Sequence, residues 1–189
     1  MQVELRRILE SYVAASKQPF AGHPIADTMR EAQRAVASAI PDANRYVITF
    51  SRGQGQFAEI PWIGIRRPDI ASGFQKGAYV IYLFHRNMER LYLALALGIE
   101  HAQSGDTVEQ RVERLRSKLD IPPEFLKEPV DLGARMKLGK TYEKACVCAK
   151  RYDAAHLPAE NALASDLATM LKIYDQLKPF DFTPTLAKP

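Results

Sequence analysis

Apolar residues recur at helical spacing at both ends of the chain and at strand spacing between them. Leu5, Ile8, Leu9, Tyr12 and Val13 predict an amphipathic helix over Val3 to Ser16, with Arg6, Arg7 and Glu10 on its other side. Pro19 to Pro24 interrupts the pattern, and Ile25, Met29, Ala32 and Val36 predict a second helix over Ile25 to Ala39, ended by Pro41. Arg45 to Phe50 alternates and reads as a first strand, and Ile60 to Arg66 as a second, with Pro61 at its start where a missing N–H is tolerated. After a polar loop over Arg67 to Lys76, Ala78 to Phe84 and Leu91 to Leu97 read as a hairpin of central strands joined by His85 to Arg90.

The second half is more helical. Thr107-Val108-Glu109-Gln110 fits a capping box, and Val108, Val112, Leu115 and Leu119 carry a helix until Pro122-Pro123 stops it. Its cationic outer face reads as a solvated surface. Lys127 to Lys144 reads as irregular, with a basic loop over Arg135 to Lys140, and Tyr142 to Tyr152 fits strand or helix equally. Pro158 suits the first turn of a last helix carrying Leu163, Leu167, Met170, Leu171, Tyr174 and Leu177. The expected fold is α+β, a curved, mainly antiparallel β-sheet flanked by helices over residues 1–178, followed by a linker-like tail over 179–189 with three prolines.

A length of 189 residues suits one domain with a sizeable core. The net charge of +4 suits an anionic partner without requiring one. Cys146 and Cys148 are read as pointing to opposite faces of the chain, poor partners for a disulfide or a shared metal site. The N-terminus lacks an apolar signal core, and no run approaches the roughly 18 apolar residues of a membrane span. A reduced, cytoplasmic setting is therefore expected, with no membrane partner.

Catalytic patterns are missing. Gly139-Lys140-Thr141 suggests a phosphate loop, but that loop needs a glycine where Ala134 stands. The Glu-x-Lys and Asp-x-Lys tripeptides of metal-dependent nucleases do not occur. His23, His85, His101 and His156 have no metal-ligand spacing and read as surface or packing residues. The expectation is a binding domain rather than an enzyme, with no catalytic residue, metal or cofactor.

Phe50 to Phe84 reads as a recognition element, because Gly53 and Gly55 let backbone approach a partner closely and lead directly to the single tryptophan, Trp62. The run Gly53-Gln54-Gly55-Gln56-Phe57-Ala58-Glu59-Ile60-Pro61-Trp62-Ile63, followed by Gln75-Lys76-Gly77-x-Tyr79-Val80-x-Tyr82-Leu83-Phe84, resembles the N-terminal DNA-recognition domain of the McrB family, over about Arg45 to Leu177. McrB is the GTP-dependent subunit of a restriction system that attacks DNA carrying modified cytosine. The resemblance implies a partner, double-stranded DNA with a modified cytosine, foremost 5-methylcytosine, whose base is flipped into a pocket. It implies also a GTPase or nuclease effector, fused or separate.

Carried onto this chain, the resemblance makes Trp62, Tyr79, Leu83 and Leu138 the base pocket, with Leu138 standing where the family pattern has an aromatic. Tyr79 and Leu83 lie four residues apart on one side of a strand, and Tyr82 faces the other. Gln54, between Gly53 and Gly55, matches the residue that enters the gap left by the flipped base. Arg52, Lys76, Lys137 and Lys140 are the expected phosphate contacts, with Arg66 and Arg67 second in rank. Two rival readings remain: a reader of unmodified sequence, and a protein-interaction or regulatory module in which Trp62 is core.

Overall fold

The computed structural model describes residues 1–98 and 106–182, and its centre is a five-stranded sheet in which every neighbouring pair is antiparallel. The strands are β1 (Val47–Ser51), β2 (Trp62–Arg66), β3 (Ala78–Phe84), β4 (Arg90–Leu97) and β5 (Cys146–Asp153), in that spatial order, in a sheet not closed into a barrel. Around it pack α1 (Gln2–Ala15), α2 (Ile25–Ser38), α3 (Val108–Lys118), α4 (Lys137–Ala145) and α5 (Glu160–Asp175). The fold is α+β, as the sequence pattern predicts.

All seven residues of β3 are buried, so both faces of the sheet are covered there and a continuous apolar run replaces alternation. Val80, Tyr82 and Phe84 point into the larger core with Leu91, Leu93 and Leu95 and the apolar stripes of α1, α2, α3 and α5. Tyr79, Ile81 and Leu83 point the other way, into a smaller core with Tyr92, Ala94, Val130 and Leu132. The hairpin pairs Ala78 with Leu97 through to Phe84 with Leu91. The capping box of α3 forms, with Thr107 Oγ1 accepting from the Gln110 N–H and the Gln110 side chain accepting from the Thr107 N–H.

Several boundaries differ from the sequence reading. A 3-10 turn over Ala43–Arg45 delays β1, and β2 begins at Trp62, with Pro61 just outside it accepting from the Phe84 N–H. The basic segment expected as a loop is α4, and the segment open to either assignment is both, changing from α4 to β5 between Ala145 and Cys146. Of the tail, Pro179–Phe182 forms a 3-10 turn whose Phe182 packs on the main core, so it is not linker there; residues 183–189, like His101, lie outside the described residues.

Cys146 and Cys148 do face opposite sides, for a reason the spacing alone does not supply. In a regular strand residues two apart share a face. Here the register shifts between Leu95, paired with Cys148, and Ala96, paired with Cys146, leaving Val147 as the extra residue of a bulge. Cys146 therefore joins the smaller core and Cys148 the larger.

Candidate nucleic-acid interface

Trp62 opens β2, opposite Ser51 on β1 and Leu83 on β3, at the end of the sheet where the 52–61 connection leaves. It is half-buried and packs against the smaller core. The Phe74 ring lies 4.9 Å from it, tilted by 42°, and 5.0 Å from Tyr79 in an edge-on arrangement. Phe74 reaches this place because Gly64 leaves room: a Cβ on Gly64 would stand 2.2 Å from Phe74 Cε1. From α4, Tyr142 completes an open pocket of about 460 Å³ whose other walls are Trp62, Phe74 and the loop from Ser72 to Lys76. This volume falls within the range of small-ligand pockets, roughly 300 to 1,000 Å³. Burial raises the Tyr142 hydroxyl above its ordinary pKa, with a hydrogen bond from the Trp62 side chain acting the other way.

The connection into Trp62 has a fixed base and an exposed tip. The Ala58 N–H donates to Arg52 O at 2.8 Å, and the Tyr12 hydroxyl sits 3.1 Å from Arg52 O and 3.0 Å from Ala58 O. Phe57 packs edge-on against Tyr12, Phe20 and His23. Gly53 has a φ of 107°, and a Cβ there would meet Gln56 O at 2.0 Å, so the turn admits glycine alone. Gln54, Gly55 and Gln56 stand exposed at the tip.

The same connection fixes α4. The Glu59 carboxylate accepts from the backbone N–H groups of Arg135 at 2.8 Å and Met136 at 2.9 Å and lies 3.5 Å from Arg86 Nε. Glu143, inside α4, accepts from the N–H groups of Leu132 at 3.0 Å and Ala134 at 3.2 Å. These bonds hold both ends of the segment that carries Tyr142, and Gly139 is buried where α4 meets Glu59 and Ile60.

Of the four residues expected to meet the base, Trp62 lines the pocket. Tyr79 and Leu83 share a face as expected but have no exposed surface: Tyr79 lies behind Phe74 with its hydroxyl 3.4 Å from Leu97 O, and Leu83 packs in the smaller core. Leu138 stands on α4, not on a loop, and is 51% exposed outside the pocket wall. Phe74 and Tyr142 are the walls that the sequence reading missed. Phe74 directly precedes the Gln75-Lys76-Gly77 turn, and Tyr142 stands at i+4 from Leu138, a relation that becomes visible once the segment is known to be helical.

Among the expected phosphate contacts, Lys76 is at the pocket wall, and Lys137 and Lys140 are exposed on α4. Arg52 serves the loop: its guanidinium stacks 3.9 Å from the Phe20 ring centre and donates to Phe20 O at 3.0 Å. Arg66 donates to Ala71 O at 2.7 Å, and Arg67 pairs with Asp69 and Asp175, so both brace the 67–71 turn. Among the described residues no cluster of His, Cys, Asp or Glu is placed to hold a metal ion, and no helix is long and apolar enough to cross a membrane.

The fold is thus an α+β domain with an aromatic pocket at one end of an antiparallel sheet, between the 72–76 loop and the cationic helix α4. The family model for the MrcB-like N-terminal domain matches residues 7–179, and the chain belongs to that family. Membership points to the DNA-recognition module of a restriction system. No curated protein matched the chain.

Proposed function

We propose that this domain binds double-stranded DNA and recognises a modified cytosine, foremost 5-methylcytosine, by drawing the base out of the duplex into the pocket of Trp62, Phe74 and Tyr142. The observation that carries this reading is the pocket itself: three aromatic side chains from three separate segments enclose a space open to solvent beside exposed cations. Extruding a base costs a few kcal/mol of stacking and pairing. Stacking on one aromatic wall returns about 1 to 3 kcal/mol per base.

Gln54, held out by Gly53 and Gly55, enters the space the base vacates and meets the orphaned partner base with its amide. Lys76, Lys137 and Lys140 hold the phosphates. The domain supplies specificity, and a fused or separate GTPase or nuclease supplies catalysis. The test is equilibrium binding of matched duplexes differing in one modified cytosine. A preference for the modified duplex that disappears in Trp62→Ala, with the variant still folded, is expected; equal affinity of the native protein for both duplexes overturns the reading.

A further inference from the structure

The first turn of α4 exposes two large apolar side chains that the fold does not use. Met136, its N-cap, is 57% exposed and Leu138 is 51% exposed, while the helix beneath them is anchored through Glu59, Glu143 and buried Gly139. No described part of the chain covers these two apolar side chains, which stand two residues apart on an anchored segment. Their surroundings say what kind. Arg135, Lys137 and Lys140 are exposed around them and make no ion pair with any described residue. Glu59 takes the N–H groups of Arg135 and Met136, just before the helix, and the three cations bring positive charge to the same end through their side chains.

A protein partner of ordinary composition would not call for three unpaired cations ringing two apolar tips, whereas a duplex does: phosphates meet the cations, and the base stack meets the apolar tips. We propose that Met136 and Leu138 form a wedge that enters a base step of the bound duplex and unstacks it, with Arg135, Lys137 and Lys140 on the flanking phosphates. Leu138 lies one helical turn from Tyr142 on the same face, so the opened step adjoins the pocket that receives the base. Side chains of this type, Leu and Met included, act as wedges where proteins kink DNA by about 20 to 90°. The proposal rests on the DNA-binding reading above but concerns the apolar tips at the start of α4 and not the pocket walls.

The experiment measures affinity and end-to-end distance of a duplex carrying a fluorophore at each end. The native protein is expected to shorten that distance and to bind a duplex with one mismatched pair more tightly than an intact one, since a mismatch is already partly unstacked. The double variant Met136→Ala, Leu138→Ala is expected to bind the intact duplex about tenfold or more weakly, to leave its length unchanged and to keep the native salt dependence. Lys137→Gln, Lys140→Gln is expected to lower the salt slope by about 2. A double alanine variant with native affinity and native shortening overturns the wedge alone and leaves this face to a protein partner. A native protein that binds no duplex overturns the wedge and the proposed function together.

Discussion

At the scale of single residues, the pocket depends on an absence as much as on its walls. Gly64 provides the space over the sheet in which Phe74 lies between Trp62 and Tyr79. Gly64→Ala is expected to push that ring outward, costing about 1 to 3 kcal/mol of stability and shifting the emission of the single tryptophan; unchanged emission would mean that Phe74 does not need this space. Cys146 and Cys148 are silent for another reason. Burial pushes both thiols up to about 12, so at pH 8 neither supplies appreciable thiolate. Iodoacetamide is expected to leave the native protein unlabelled and to modify both sulfurs in urea, and labelling of the native state would show that β5 opens.

At the scale of elements, α4 shows why part of the site could not be read from the sequence. Nine residues with a glycine in the first turn form at best a marginal helix alone. The segment leading into it is held by Glu59, 76 residues before Arg135 in the chain, and no local pattern reports a contact at that distance. Glu59→Ala is expected to cost about 1 to 3 kcal/mol in urea unfolding, because two backbone N–H groups lose a charged acceptor, and to speed hydrogen exchange at the Arg135 and Met136 amides; unaltered exchange would remove Glu59 from this role. The β3–β4 hairpin, by contrast, was legible to within one residue, because a run of apolar side chains between turns carries its own length. The face assignments of Tyr79, Leu83 and Tyr82 were legible for the same reason. What covers a face was not, since Phe74 reaches Tyr79 through the 67–76 loop and Tyr142 arrives on α4.

At the scale of the whole molecule, the family match takes in α1 from Arg7 onward, which the motif resemblance from about Arg45 leaves out, and the structure gives a reason: Tyr12 on α1 ties both ends of the glycine-tipped loop. Loop, pocket and α4 thus form one surface supported by both cores. With Lys76, Arg135, Lys137 and Lys140 as about four phosphate contacts, the logarithm of the binding constant is expected to fall with the logarithm of salt concentration at a slope of about −4, and a slope near zero would remove DNA as the partner. The central claim concerns the pocket, and the single tryptophan within it is its own reporter. The most direct measurement is a titration of Trp62 fluorescence with two duplexes identical except for one methyl group on one cytosine. Quenching that saturates with the methylated duplex and is absent or much weaker with the plain one is the expected result; an identical response to both duplexes, or none to either, would contradict base capture at Trp62.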